Sequence, residues 1–293
     1  MSYELPSGLR PGGRFDAWAP ALPAYLVADV DGTLVGPSAT ATDAVVAAAG
    51  RARDAGLAVG FATGRMRLAV EPLYGQLGVP GPHVLHNGAE VRAGGRSIAT
   101  WPLSPAALAT VFRIARELDA YAEIYTPDGY AVTALDERAR PHWELLGHEP
   151  FAVVTTPDEL GDVPVLKATF GLFDGESPAT VVAALDDAAV RAGPAGSPLT
   201  PTITYVNATD PAVDKGRAVT AAAAHLGVDL AATVAVGDAP NDLPMLAVVG
   251  TAIAMGQAEP EVKAAAHLVV PEVDADGVAH AIDACLGWRR ATA

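Results

Sequence analysis

Along this chain, short unbroken apolar runs alternate with longer stretches in which apolar residues recur at helical spacing. Tyr25 to Asp29 reads as a fully buried strand. Thr42 to Ala55 reads as a helix, with Asp43 near its start and Gly56 at its stop. A second apolar run, Leu57 to Ala62, ends at Thr63-Gly64-Arg65; a helix then runs to about Leu77, and Val84-Leu85 leads into His86-Asn87-Gly88. Strand, helix, strand, helix, strand at this spacing predicts an α/β fold, a Rossmann-like parallel sheet with helices on both faces. Such sheets carry their sites at the carboxyl ends of the strands, where Asp29, Thr63 and Asn87 stand.

The middle of the chain has a different grain. Shorter strands are expected at Tyr121 to Tyr125, Phe151 to Val154 and Val165 to Phe170. Ser104-Pro105 and Ser177-Pro178 each place a capping Ser before a Pro, predicting helices of about four turns. Thr156-Pro157-Asp158-Glu159 has capping-box spacing, and the Pro/Gly-rich Ala192 to Pro198 reads as a linker or long turn. From Thr202 the first pattern resumes, with a strand to Val206, a helix over Asp214 to Leu226, and strands at 233–236, 251–255 and 267–270. The expected organisation is a flexible leader over 1–24, a core over 25–89 and 201–293, and an inserted α/β unit over 90–200.

Composition narrows the partners. With 51% hydrophobic and 18% charged residues, the 293-residue chain can bury a sizeable core. Its net charge of −15 argues against nucleic acid or an anionic membrane as a partner, and no Lys/Arg cluster offsets it. An anionic small molecule would need a local cation. The single cysteine, Cys285, allows no internal disulfide and reads as a small buried hydrophobe. The first 24 residues lack the basic start and apolar core of a secretory signal. The most apolar region, Leu243 to Met255, is interrupted by Pro244 and Gly250 and falls well under the ~20 residues of a spanning helix. A soluble, cytoplasmic protein is expected.

The stretch ADVDGTLV, residues 28–35, sets Asp29 and Asp31 two apart where a buried strand surfaces. Residues i and i+2 of a strand share a side, so two like charges would crowd one spot unless a cation joins them. Thr63, Lys215 at a helix start, and the loop Gly237-Asp238-Ala239-Pro240-Asn241-Asp242 arrive at the same rim. Singly, an Asp-Gly-Thr is a turn and a helix-start Lys a solvated residue; together, and in this order, they describe a phosphoryl-transfer site. Asp29, Asp31 and Asp238 supply the oxygen-rich environment that Mg²⁺ prefers. A cation and a lysine would neutralise a phosphate monoester enough for a carboxylate to attack phosphorus.

These segments resemble the four motifs of the haloacid dehalogenase superfamily. DVDGTL, FATGR, VDKGRAV and VGDAPNDLPML correspond to motifs one to four, and HNGA at 86–89 is similar to the segment leading into the inserted cap of the Cof-like, subclass IIB phosphatases. The likeness extends from Tyr25 to about Leu286. It implies Asp29 as nucleophile and metal ligand, and Asp31 as the acid that protonates the leaving group and then activates water. Val30, Thr63, Gly64, Lys215 and Asn241 would bind phosphate. Asp29, Asp31, Asp238 and Asp242 would serve the Mg²⁺ ion.

The same resemblance places substrate recognition in the inserted unit. Candidates there are Lys167, His142, Trp143, Tyr125, Asp128 and Tyr130, and Arg65 and Asn87 join them from the core. Lys167 lies in the apolar strand VPVLKATF, where a bare buried ammonium is costly, so it should face a cleft or a carboxylate. His83, His86, His142 and His148 lack a zinc-like arrangement. The activity implied is a Mg²⁺-dependent phosphatase that hydrolyses a small phosphorylated metabolite, foremost a sugar phosphate, through an aspartyl-phosphate. A phosphomutase and a non-catalytic phospho-ligand binder are the alternatives.

Overall fold

The computed structural model describes residues 5–19, 21–186, 189–196, 200 and 202–291. In chain order, its strands and helices begin with β1 (Arg10–Pro11), β2 (Tyr25–Ala28), α1 (Asp43–Asp54), β3 (Ala58–Phe61), α2 (Arg67–Leu77), β4 (His83–Leu85), β5 (Glu90–Ala93) and β6 (Arg96–Thr100). Next come α3 (Pro105–Glu117), β7 (Ala122–Thr126), β8 (Gly129–Val132), α4 (Arg140–Leu146), β9 (Lys167–Leu172), α5 (Pro178–Leu185), β10 (Arg191–Gly196) and β11 (Thr204–Thr209). The chain finishes with α6 (Lys215–Leu226), β12 (Thr233–Gly237), α7 (Leu243–Val248), β13 (Thr251–Ala254), α8 (Pro260–Ala265), β14 (Leu268–Val269) and α9 (Gly277–Ala291).

Two compact units emerge. One holds the chain up to Gly64, Glu71–Ala99 and the chain from Asp214 on; the other holds Arg65–Val70 and Thr100–Val213. The first is built on a sheet of order β1-β14-β13-β12-β2-β3, parallel throughout except for β1. Every residue of β2 is fully buried, as expected of a central parallel strand covered on both faces. Thr42 caps α1 by accepting from the Val45 amide at 3.3 Å. Gly60 in β3 is a site of close approach: a Cβ there would lie 2.0 Å from the Pro82 carbonyl oxygen, which also accepts from the Tyr25 hydroxyl at 2.8 Å.

The second unit is a five-stranded antiparallel sheet of order β10-β11-β9-β7-β8. The strand period of two sorts its residues onto two faces. Ile124, Ala168, Phe170 and Val206 pack with Val111 and Ile114 of α3 and Leu185 of α5. Tyr121, Tyr125, Tyr130 and Tyr205 pack with Trp143 of α4.

Several expectations need correction. Thr204–Thr209 does not return to the parallel sheet but pairs with β9 and β10, so the second unit reaches Val213. The expected linker is instead edge strand β10, where a proline such as Pro194 is tolerated because an edge pairs on one side only. Glu90–Ala93 and Arg96–Thr100 form a hairpin beside β4, and all but Thr100 belongs to the first unit. Phe151 to Val154 is not a regular strand; it touches β8 through one parallel bridge, Val132 with Val153. Helix α5 spans eight residues rather than four turns, with Asp186 at its C-cap, where a carboxylate opposes the negative end of the helix dipole.

The leader is not loose either: Arg10–Pro11 pairs with β14, and the Trp18 indole donates to Thr251 Oγ1 at 3.0 Å. The first four residues, Pro20, and Ser197 and Pro198 of the expected linker lie outside the described residues.

His83 of β4 packs against the stacked Phe61 and Tyr74 rings, and its Nδ1 accepts from the Phe61 amide at 3.2 Å. Burial lowers its pKa to about 4. The unfolded chain therefore takes up this proton first: the stability it contributes is complete above pH 6.5 and is lost as pH falls through 4. His83→Asn keeps an acceptor but has nothing to protonate. Melting curves at pH 7.5 and pH 5 should show a destabilisation of the wild type that exceeds the variant's by about 1–2 kcal/mol.

Candidate active site

The site is assembled where β2, β3 and β12 end and α6 begins. Beyond Ala28 the chain leaves β2 in a tight turn: the Asp29 amide still donates to the Val236 carbonyl at 2.9 Å, and the Val30 carbonyl accepts from the Val35 amide at 2.9 Å. The turn separates the paired carboxylates. Asp29 is buried while Asp31 is exposed.

The positive partner of Asp29 in the folded chain is Lys215, the first residue of α6. Its Nζ donates to Asp29 Oδ1 and to Asp242 Oδ1, both at 2.6 Å, and the ammonium is almost completely buried. Asp214 starts that helix by accepting from the Arg217 amide at 2.8 Å. Burial opposes the charge on Lys215, but Asp29 and Asp242 outweigh it, so its pKa rises and the ammonium persists. Asp29 is pushed up to about 7, first by burial and further by Asp242 and Asp238, against the pull of Lys215.

Asp238 follows β12, half-buried, and its Oδ1 accepts from the Thr33 hydroxyl at 2.9 Å. Burial raises its pKa as well. Asp242 has both oxygens engaged, Oδ1 on Lys215 and Oδ2 on the Asp238 and Ala239 amides at 2.9 and 3.2 Å. It thus ties the β12 loop to the lysine. Asp29, Asp238 and Asp242 each offer an oxygen within 4.8 Å of the others. Three carboxylates against one ammonium leave an excess of negative charge, and an all-oxygen donor set of this kind fits a hard divalent cation. The Asp31 side chain is not part of this cluster.

Thr63 is buried at the end of the β3 segment, its amide donating to the Val84 carbonyl at 2.9 Å. Its own carbonyl accepts from the Asn87 amide at 2.9 Å, and Asn87 Oδ1 accepts from Asn241 Nδ2 at 3.3 Å. Thr63, Gly64, Asn87 and Asn241 therefore form one group. The other four expected recognition residues belong to the second unit. There the buried Glu123 carboxylate accepts from the Tyr121 hydroxyl at 2.9 Å and the Tyr125 hydroxyl at 2.5 Å, and lies 2.9 Å from His142 Nδ1. Lys167 sits over the Tyr125 ring, 4.2 Å from its centroid, with burial lowering its pKa to about 8. Trp143 is buried and its indole N–H is spent on the Tyr121 hydroxyl at 2.7 Å, which leaves it no exposed polar atom. Arg65 Nη1 reaches the Ala69 carbonyl at 3.5 Å.

Sequence reasoning passed over Gly32, Thr33 and Glu123. A Cβ on Gly32, whose φ is +81°, would lie 2.4 Å from Asp238 Oδ2, so glycine lets that carboxylate approach. The signal was available in the Gly-Thr following DVD. For Glu123 it was the alternation Tyr121, Glu123, Tyr125 in a strand, which sets an acid among hydroxyl donors on one face.

A family model described as haloacid dehalogenase-like hydrolase matches residues 26–282. A Streptococcus pyogenes serotype M6 protein that bears a phosphatase name is 30% identical over 261 residues, covering 87% of this chain and 95% of its own. The 5-amino-6-(5-phospho-D-ribitylamino)uracil phosphatase YwtE of Bacillus subtilis is 27% identical, covering 90% of this chain and 98% of its own. The fold is shared with the subclass IIB sugar phosphatase BT4131, at a TM-score of 0.72 and 23% identity, over 90% of this chain and 99% of that one.

Removing the ammonium leaves Asp29 and Asp242 buried without their cation. Lys215→Met should therefore lower stability by about 3–5 kcal/mol in denaturant titrations without added metal. A loss under 1 kcal/mol would show that the two acids do not rely on this lysine.

Proposed function

From the premise that the chain belongs to the haloacid dehalogenase-like hydrolase family and is a phosphatase of small phosphorylated compounds, we propose that it hydrolyses a sugar or polyol phosphate with Mg²⁺ through an aspartyl-phosphate on Asp29. The observation that carries this reading is the buried Asp29–Lys215–Asp242 arrangement with Asp238 alongside. Asp29, Asp238 and the backbone carbonyl of Asp31 would hold the ion, with Asp242 supporting its water shell. Bound there, Mg²⁺ supplies charge neutralisation for the phosphoryl group.

The residues of the chain divide the remaining work. Asp29 attacks phosphorus, its O–P bond forming as the ester P–O bond breaks. Asp31, exposed on its turn, gives a proton to the departing alkoxide. It then takes a proton from the water whose oxygen attacks phosphorus, which breaks the Asp29–phosphorus bond and frees inorganic phosphate. Thr63, Gly64 and Asn241, with the Val30 backbone, would hold the phosphoryl oxygens, while Lys215 offsets their charge and fixes the angle of Asp29.

The substrate class is supported by the name of YwtE, whose substrate carries a phosphorylated ribityl chain. Within the second unit, Lys167 and His142 offer a cation and a ring nitrogen beside Glu123, groups suited to hydroxyl recognition. Among the described residues, no helix is long and apolar enough to cross a membrane.

Purified protein should release phosphate from p-nitrophenyl phosphate in Mg²⁺, lose that activity in EDTA and regain it with added Mg²⁺. Asp29→Asn should remove at least about 10³-fold of kcat, as expected when a nucleophile is lost. Asp31→Asn should cost about 10²–10⁴-fold on a sugar phosphate but less on p-nitrophenyl phosphate, whose leaving group departs without a proton. Equal losses in kcat/KM, which covers the steps through release of the alcohol, would remove Asp31 from the acid role.

A further inference from the structure

The turn His86-Asn87-Gly88 reaches three of the loops described above, all within the first unit. Asn87 adopts left-handed φ/ψ angles of 58° and 22°, between His86 at φ 51° and Gly88 at φ 109°. Three successive residues at positive φ are costly unless the surroundings require them. Each contact of the turn supplies a reason. The Asn87 amide donates to the Thr63 carbonyl at 2.9 Å. The Asn87 carboxamide lies where a Cβ on Gly64 would meet its Oδ1 at 3.0 Å and its Nδ2 at 3.1 Å, and that Oδ1 accepts from Asn241 Nδ2 at 3.3 Å. Gly88 backs onto the start of α6, where a Cβ would lie 2.2 Å from the Asp214 carbonyl oxygen and 3.1 Å from the Lys215 amide nitrogen.

We propose that Asn87 is a positioning residue, whose side chain fixes Asn241 against the Thr63–Gly64 loop so that both segments bind one phosphoryl group at a set spacing. The inference rests on the reading of those segments as the phosphoryl-binding groups. Asparagine suits the post for two reasons: it tolerates the left-handed backbone, and its carbonyl oxygen receives the Asn241 amide. Asn241 is itself exposed, so without Asn87 its side chain has the rotamer freedom of a surface group, and ordering it would be charged to each binding event.

The test is a double-mutant cycle read by calorimetry of inorganic phosphate binding in Mg²⁺, with wild type, Asn87→Gly, Asn241→Ala and the pair. Glycine accepts the left-handed backbone, so Asn87→Gly removes the amide alone. Asn241→Ala should weaken phosphate binding about tenfold, Asn87→Gly by up to the same factor, and the double variant about tenfold rather than about hundredfold, because Asn87 acts on phosphate only through Asn241. Asn87→Ala, which adds backbone strain, should melt lower than Asn87→Gly with no further loss of phosphate affinity.

An additive hundredfold loss, an unchanged affinity in Asn87→Gly, or a wild type that binds no phosphate overturns the proposal. Failure of the phosphatase reading looks different: phosphate would bind with a non-additive cycle while no phosphate ester is turned over.

Discussion

The first unit is organised around one ammonium held out of water. Lys215 gains two hydrogen bonds of 2.6 Å, yet burying three ions carries a desolvation cost that such contacts do little more than offset. Its value lies in geometry. To satisfy the lysine, the end of β2, the loop after β12 and the first turn of α6 must arrive together, and glycines at 32, 216 and 237 let them do so. A Cβ at each would come within 2.5 Å of Asp238, of the Pro244 carbonyl or of Asp242. With the lysine neutralising one of three carboxylates, the remaining charge defines what else the site can accept.

The second unit uses the opposite sign. Glu123 is the buried charge, and two tyrosine hydroxyls and an imidazole converge on it, with Lys167 supplying further positive potential. Burying a carboxylate among donors fixes the rotamers of the aromatic face at every strand that contributes to it. Both units therefore place a desolvated group within a set of hydrogen bonds that fix the side-chain angles around it.

Much of this was legible in the sequence, and the rest was illegible for physical reasons. The parallel core was clear because its strands are short apolar runs that end at Asp29, Thr63 and Asp238, a pattern with few competing readings. The grouping of Asp29 with Asp238 followed from their places at strand ends; that of Lys215 rested on the order of the motifs, since the strand expected before it belongs to the second unit's sheet. The boundaries of the inserted unit did not: Ala192 to Gly196 has the composition of a turn, and only its pairing with Thr204–Thr209 makes it a strand. Tertiary pairing overrides local propensity in this way at sheet edges. The direct pairing of Lys215 with Asp29 was also hidden, since no local pattern shows that side chains 186 positions apart will meet at 2.6 Å.

Strand β1 carries a consequence of a different kind. Without Arg10–Pro11, β14 would present open N–H and C=O groups at the margin of the parallel sheet, a template on which another chain could add a strand. The leader occupies that margin and finishes it with a proline, which offers no amide for the next strand. In effect the protein carries its own stopper against sheet-to-sheet polymerisation, built from a segment outside the catalytic machinery.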